Sequence, residues 1–234
     1  MRESISVFFP AYNDARSIGK LVADAQKILE KLTDDFEIIV VNDGSADETA
    51  KVLRELQKTH GKMRIVTHET NRGYGAALQS GFRAAKKDLI FYTDGDGQYD
   101  VGELALLFGK LDAKTDVVNG YKISRADGKR RKYVGESYNK MAHFFFNLPI
   151  RDVDCDFRLI RKSALENVNL TSVSGGICVE LVYKLARKGC NFTEIGVNHY
   201  SRPFGKSQFF TFARIAKTLA DFFSLWLKLV IFRK

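Results

Sequence analysis

Four apolar runs, at residues 5–9, 37–41, 63–67 and 89–93, recur at intervals of roughly 25 to 30 residues, and each is followed by a short polar loop and then a helical pattern. Strands that alternate with helices in this way pair in parallel, because each helix carries the chain back to the edge it left. The expected fold is α/β, a mainly parallel sheet with helices on both faces. In the first unit Ile18, Leu21, Val22, Ala25, Ile28, Leu29 and Leu32 keep helical spacing behind an Asn13-Asp14 cap, and in the second Ser45 to Glu48 matches a capping box. Ligands bind such sheets at the carboxyl ends of the strands. Asp14, Asp43, Asn71, Asp94 and Asp96 all fall there, which places them on one rim.

The fourth run ends in Asp94-Gly95-Asp96-Gly97-Gln98, where a buried strand turns into an acidic loop. Carboxylates one residue apart on a strand face opposite ways, but the two glycines let the backbone turn so that Asp94 and Asp96 converge on one hard cation. Oxygen ligands of this kind suit Mg²⁺ or Mn²⁺, which keep positions open for substrate phosphates. The bland alternative is a solvated turn.

Beyond a helix over 102–111 and a strand over 117–121, the basic segment 122–132 reads either as solvated surface or as a loop that clamps phosphate. A helix over 135–146 follows. Charges then alternate with Val153, Cys155 and Phe157 through 151–158, which predicts a strand with Asp152, Asp154 and Asp156 on one polar face. Three carboxylates so placed repel one another unless a cation or a substrate charge sits opposite. A Gly-Gly loop and a helix bearing Glu180 come next, then a strand over 192–197. Arg202 and Lys206 flank a turn that suits a second anion, while His199 reads as structural.

A formal charge of +9 over 234 residues implies an anionic partner. Nucleic acid is set aside, since the cations are divided among a loop, a turn and a tail, and an acidic rim repels a phosphate backbone. Three cysteines without metal-ligand spacing fit a reducing cytoplasm, and Pro10 interrupts the first apolar run too early for a signal peptide. The expected organisation is one domain over 1–208 with a helical tail over 209–234. In the tail Arg214, Lys217, Asp221, Ser224 and Lys228 form a narrow stripe, and apolar side chains including Phe222, Phe223, Leu225, Trp226 and Leu227 cover the rest. Such a helix lies in a membrane interface or is buried against another subunit, a homo-oligomer being the second case.

Taken in order, Phe9-Pro10-Ala11-Tyr12-Asn13, Val41-Asn42-Asp43-Gly44-Ser45, Asn71 with Gly73, Asp94 to Gln98, and Phe157-Arg158 give the chain a specific pattern. It resembles the family 2 glycosyltransferases of the GT-A nucleotide-diphospho-sugar transferase fold, and among them the polyprenyl-phosphate sugar synthases of the dolichyl-phosphate mannose synthase group. The likeness runs over residues 4–208. It implies inverting transfer of a hexose from a nucleotide sugar to a polyprenyl phosphate on the cytoplasmic face of a membrane, by a metal-dependent enzyme. A saccharide acceptor is the alternative. By the same resemblance Pro10, Ala11, Tyr12, Asp14 and Asp43 hold the nucleoside, and Asp94 and Asp96 hold the ribose and the metal-bound diphosphate. Gln98 belongs to the subgroup signature, and Arg158, Arg202 and Lys206 meet phosphate charge. Many relatives carry Ser-Gly-Phe-Arg where this chain has Cys155-Asp156-Phe157-Arg158, which leaves Asp154 and Asp156 both as candidates for the functional carboxylate.

Overall fold

The structure, a computed structural model, describes residues 3–125, 129–204 and 212–232, with the side chains of 124–131 and 212–217 left aside. Strands β1 (Ile5–Ala11), β2 (Phe36–Asp43), β3 (Met63–His68), β4 (Leu89–Thr93), β5 (Val117–Arg125), β6 (Phe157–Arg161) and β7 (Phe192–His199) form one sheet in the order β3-β2-β1-β4-β6-β5-β7. Helices α1 (Ile18–Leu32), α2 (Thr49–Thr59), α3 (Tyr74–Ala84), α4 (Leu104–Phe108), α5 (Lys129–Phe146), α6 (Ile177–Arg187) and α7 (Phe212–Trp226) cover it.

Every residue of β1, β2 and β4 is buried, which is why these strands read as unbroken apolar runs and not as alternating ones. On one face Val7, Phe9 and Phe91 pack with Leu21, Val22 and Leu29 of α1 and with Leu104 and Leu107 of α4. On the other, Phe8, Ile39 and Tyr92 pack with Ala77 and Leu78 of α3 and with Leu181 and Leu185 of α6.

All strand pairs are parallel except those of β6, which runs antiparallel to both β4 and β5. Its reversal has a consequence for the rim. Phe157, the first residue of β6, pairs with Thr93, the last of β4, so β6 begins at the edge where the other strands end. Residues 151–156 form turns and not the strand that their alternation predicts. In this turn burial does not alternate: Asp152 and Asp156 are buried with Val153 and Cys155, Asp156 beside Asp94.

Other boundaries shift for similar local reasons. The 45–48 capping box does not form: the Ser45 hydroxyl accepts from the Asn13 amide at 3.0 Å, and α2 starts at Thr49, whose amide donates to Asp47 Oδ1 at 2.9 Å. The Asp14 side chain does not cap α1 either; the Asp14 carbonyl accepts from the amides of Ser17 and Ile18, and the helix begins at Ile18. The basic segment is not one loop, since β5 runs on to Arg125 and α5 begins at Lys129. The Lys122 ammonium is buried and donates to the Asp154 carbonyl at 2.6 Å, a contact that ties the 151–156 turn to β5, while the side chains of 124–131, on which the expected phosphate clamp falls, lie outside the described residues. Helix α4 ends at Phe108, short of the expected 111.

The tail helix docks on its own chain. Phe222, Leu225 and Leu229 are buried with α5 and α6, the Phe222 ring meeting Tyr138, Phe145 and Phe146 edge-on at centroid distances of 5.6, 5.8 and 5.2 Å. Lys228 Nζ donates to Thr171 Oγ1 at 2.9 Å. The apolar arc is wider than this contact and leaves Leu219, Phe223, Leu227 and Ile231 exposed. No helix among the described residues is long and apolar enough to cross a membrane.

Removing the Phe222 ring should leave a cavity costing about 3 kcal/mol, against about 1 kcal/mol or less for the outward Phe223→Ala. Urea denaturation of Phe222→Ala and Phe223→Ala compares them, and equal losses would contradict the docked orientation of α7.

Candidate functional site

Four loops meet at the carboxyl edge of the sheet. The loop after β1 is latched to the loop after β2: Asn13, held at φ 59°, accepts through its side-chain oxygen from the Ala46 and Asp47 amides at 2.9 and 3.3 Å, and the Asp14 amide donates to Thr49 Oγ1 at 3.0 Å. Asp14 Oδ2 accepts from the Tyr12 amide at 2.9 Å. Burial, opposed by that hydrogen bond and reinforced by the charge of Asp96, raises the Asp14 carboxyl to about 6. The Pro10 carbonyl, beside Ala11, accepts from the Gly95 amide at 3.2 Å, which fixes the acidic loop against β1.

Asp43 is spent on shaping the next loop. Its two oxygens accept from His68 Nδ1 at 2.6 Å and from the amides of Arg72 and Gly73 at 2.9 Å each, and the far His68 nitrogen contacts Ser80 Oγ at 2.9 Å. Gly73 sits at φ +95° with a Cβ position 2.5 Å from the Val173 carbonyl oxygen, so a side chain there would strain the turn and strike backbone. With residues 71–73 held in this way, Tyr74 opens α3 and its hydroxyl donates to Asp94 Oδ1 at 2.8 Å.

Asp94 lies on the same sheet face as Tyr92, two residues earlier, and shares that face with Asp156. Burial first, then the charges of Asp156 and Asp96, push the Asp94 carboxyl well above the usual range, while the Tyr74 hydrogen bond opposes the rise. Asp156 is held from behind: its Oδ1 accepts from Arg158 Nη1 at 3.1 Å, from Cys178 Sγ at 3.1 Å and from the Tyr92 hydroxyl at 3.4 Å. Burial, then Asp156, keeps the Cys178 thiol neutral and donating.

Arg158 is a correction to the sequence reading. Its side chain is 0% exposed, and its donors go to Asn119 Oδ1, the Tyr92 hydroxyl, Asp156 and the Val153 carbonyl. A guanidinium enclosed in this way does not touch a substrate phosphate; it positions Asp156. Tyr92 and Asn119 were not expected as site residues, although the period of two along β4 puts Tyr92 beside Asp94 and the β5–β6 register pairs Asn119 with Arg158. Tyr74, Cys178 and His68 carried no sequence signal of their own, because their roles depend on how α3, α6 and β3 pack.

Asp96 faces Arg202. Its Oδ1 accepts from the Gln98 amide at 3.0 Å, and its Oδ2 accepts from Arg202 Nη2 at 2.6 Å and Nε at 3.2 Å. Gln98 Nε2 donates to the Tyr200 carbonyl at 2.9 Å and the Gln98 carbonyl accepts from the Tyr200 amide at 2.8 Å, so Gln98 anchors the strap that carries Arg202. Lys206 lies outside the described residues.

Among the described residues no group of three or more His, Cys, Asp or Glu side chains is arranged to hold a metal. Two carboxylates flanking Gly95, with Asp156 adding negative charge, still fit a hard cation of the Mg²⁺ type, which completes its shell with water and substrate phosphate oxygens. A nucleoside diphosphate would supply those oxygens.

Comparison with known proteins bears on the family and the fold. A model described as glycosyl transferase family 2 matches residues 6–168. The undecaprenyl-phosphate 4-deoxy-4-formamido-L-arabinose transferase of Enterobacter sp. (strain 638) is 31% identical over 219 residues, which is 93% of this chain and 65% of that protein, so the chain spans just under two thirds of that relative. Glucosyl-3-phosphoglycerate synthase from Mycobacterium tuberculosis, with Mn²⁺ and UDP-glucose, superposes with a TM-score of 0.71 at 17% identity over 95% of this chain and 78% of that one. The same synthase with Mn²⁺, UDP and phosphoglyceric acid gives 0.67 at 19% identity over 94% and 78%. The shared fold is the GT-A fold.

Two outcomes follow from the buried charges. Arg158→Met should cost about 3 to 5 kcal/mol, because it strands Asp156 without its partner; a denaturation midpoint like that of the parent chain would contradict the enclosed network. Asp14 has a carboxyl raised from 3.8 to about 6 in the fold, so the folded chain holds a proton that the unfolded chain has released. Its contribution is present below pH 4 and is lost as pH rises through 6, by up to about 3 kcal/mol. Stability measured from pH 4 to 7 should fall less in Asp14→Asn than in the parent chain; parallel curves would contradict this.

Proposed function

The chain belongs to glycosyl transferase family 2, and on that premise we propose that it moves a monosaccharide from a nucleoside diphosphate sugar to a polyprenyl phosphate at a membrane surface. The observation that carries the reading is the meeting of Asp94, Asp96 and Asp156 at the carboxyl edge, with a cationic strap laid over Asp96. Negative charge so concentrated suits a bound cation and the phosphates that come with it. The likeness to a transferase whose acceptor is undecaprenyl phosphate supports the lipid acceptor.

The latched loops carrying Pro10, Ala11, Tyr12, Asp14 and Asp43 form the nucleoside side of the site. Asp94 and Asp96 would hold Mg²⁺ or Mn²⁺, which supplies Lewis-acid neutralisation of the leaving diphosphate. An oxygen of the acceptor phosphate bonds to the anomeric carbon while the bond from that carbon to the diphosphate breaks, inverting the centre, and the electron pair leaves with the nucleoside diphosphate. A phosphate monoester is already anionic, so Asp156, fixed by Arg158, Tyr92 and Cys178, orients the acceptor and need not deprotonate it.

The outer arc of α7 serves the lipid side. Leu219, Phe223, Leu227 and Ile231 are exposed on it, and this apolar surface suits the interface of a bilayer holding the acceptor.

Incubating the full chain with Mg²⁺, a panel of UDP- and GDP-sugars and either polyprenyl phosphate or an oligosaccharide tests the reaction. The expected product is a sugar joined to the lipid through one phosphate, with turnover lowered at least about 100-fold in Asp96→Ala. Transfer to the saccharide alone would contradict the assignment. For the membrane surface, Leu227→Asp with Ile231→Asp, both exposed, should abolish sedimentation with anionic vesicles while lowering the thermal midpoint less than Phe222→Ala does, whereas unaltered sedimentation would contradict it.

A further inference from the structure

Tyr74, whose hydroxyl donates to Asp94 Oδ1 at 2.8 Å, opens α3 between two glycines that leave no room for a side chain. A Cβ on Gly73 would stand 2.5 Å from the Val173 carbonyl oxygen, and one on Gly75 would stand 2.3 Å from the Ser172 carbonyl oxygen. Backbone of the segment 171–173 therefore presses on the start of α3 at the residues flanking Tyr74. Two hydrogen bonds join it to that helix, the Val173 carbonyl accepting from the Gly75 amide at 3.0 Å and the Ser172 carbonyl from Gln79 Nε2 at 2.9 Å. The segment is neither helix nor strand, and Val173 is exposed, so apolar packing does not fix it. Glu180 does. This side chain lies fully buried on α6 among Ile177, Val179 and Leu181. Its Oε1 accepts from the Thr171 amide and hydroxyl at 3.0 Å each, and its Oε2 accepts from the Ser172 amide at 2.7 Å. Lys184, one turn on, pairs with Oε1 at 2.6 Å, and Thr171 Oγ1 accepts in turn from Lys228 at 2.9 Å.

We propose that Glu180 is a positioning residue for the carboxylate rim: through the brace formed by residues 171–173 it sets Tyr74 so that the tyrosine hydroxyl holds Asp94 in the orientation the site uses. The inference rests on the reading of Asp94 as a carboxylate of the donor site. An apolar side chain at 180 would seat α6 as its neighbours do, without the desolvation that a buried carboxylate suffers. The carboxylate adds direction. It grips the amides of Thr171 and Ser172 with charge-assisted bonds, and the carbonyls of Ser172 and Val173 then face Gln79 and Gly75. An aspartate at the end of a strand can turn about two torsions, and one hydrogen bond selects among them only if its donor is itself held. Glu180→Gln keeps the size of the side chain but sets an NH₂ group against one of the donating amides, which loosens the brace.

A double-mutant cycle separates positioning from a merely structural role. Titration calorimetry of the full chain with UDP, and separately with GDP, in excess MnCl₂ reads the donor side. Tyr74→Phe should weaken binding about tenfold, the cost of one hydrogen bond to a charged group. Glu180→Gln should weaken it by about the same factor, although its own contacts are with Thr171, Ser172 and Lys184. Introduced into Tyr74→Phe, Glu180→Gln should add less than about twofold, because the route by which it acts is already cut. A residue that served the fold alone would multiply its full factor in both backgrounds, and that result, or no loss in either single variant, overturns the positioning role. Gln79→Met, which frees the brace on its α3 side, should cost about threefold and lose that effect in Tyr74→Phe. It keeps the inference testable should a thermal scan show Glu180→Gln unfolded. If Asp94→Asn abolishes binding while the cycle is additive, the brace is overturned and the reading of Asp94 stands. If neither nucleotide binds the parent chain, or Asp94→Asn binds as the parent does, that reading falls and the inference with it.

Discussion

Carboxylates crowded at one edge of a sheet repel one another and lose hydration as the fold closes over them, and the structure around Asp94, Asp96 and Asp156 is arranged against both costs. From beneath, Arg158 is enclosed completely and satisfied by Asn119, Tyr92 and the Val153 carbonyl, so that its charge is delivered to Asp156 without competition from water. From above, Arg202 reaches Asp96 on a strap anchored by Gln98. Between them Asp94 has the Tyr74 hydroxyl as its hydrogen-bond donor, and its carboxyl remains raised. In the proposed reaction a metal-bound diphosphate would answer the residual demand for positive charge at Asp94.

The reversal of β6 makes this crowding possible. Were β6 parallel to its neighbours, Asp156 would lie at the opposite edge, remote from Asp94. Running antiparallel, β6 puts its start beside the end of β4, and the period of two along each strand then places Tyr92 and Arg158 under the carboxylates. The side of the rim that carries Asp14 and Asp43 is built differently, from loops latched to loops. Asp43 arranges residues 71–73 by accepting two backbone amides, and this carries a constraint from the end of β2 to Tyr74 and so to Asp94.

What the sequence revealed follows from what is local. Strands β1, β2 and β4 are buried on both faces, so each is a short apolar run with a polar stop, and together with the half-buried β3 their stops Asp14, Asp43, Asn71 and Asp94 marked the rim directly. The direction of β6 is not local. Charges at every second residue before it read as a strand, whereas the turn that forms buries Asp152, Val153, Cys155 and Asp156 alike. Ser45 and Glu48 had the spacing of a cap, but the Ser45 hydroxyl was taken by Asn13 from another loop, a tertiary contact that spacing does not encode. Arg158 was read as a phosphate ligand because its position in the motif says nothing about burial. The tail's amphipathic pattern was legible, whereas its division into an inner face on α5 and α6 and an outer face became visible only with the packing.

In the proposed reaction the carboxylate rim binds a divalent cation and a nucleoside diphosphate together. Thermal unfolding of the intact chain with UDP or GDP, in the presence of Mn²⁺ or of EDTA, tests it most directly, since a ligand that binds only the folded state raises the midpoint in proportion to the logarithm of its concentration. The account predicts that at least one nucleotide raises the midpoint with Mn²⁺, and that the rise disappears with EDTA and in Asp96→Asn. A rise of equal size with EDTA, or a rise that persists in Asp96→Asn, would contradict it.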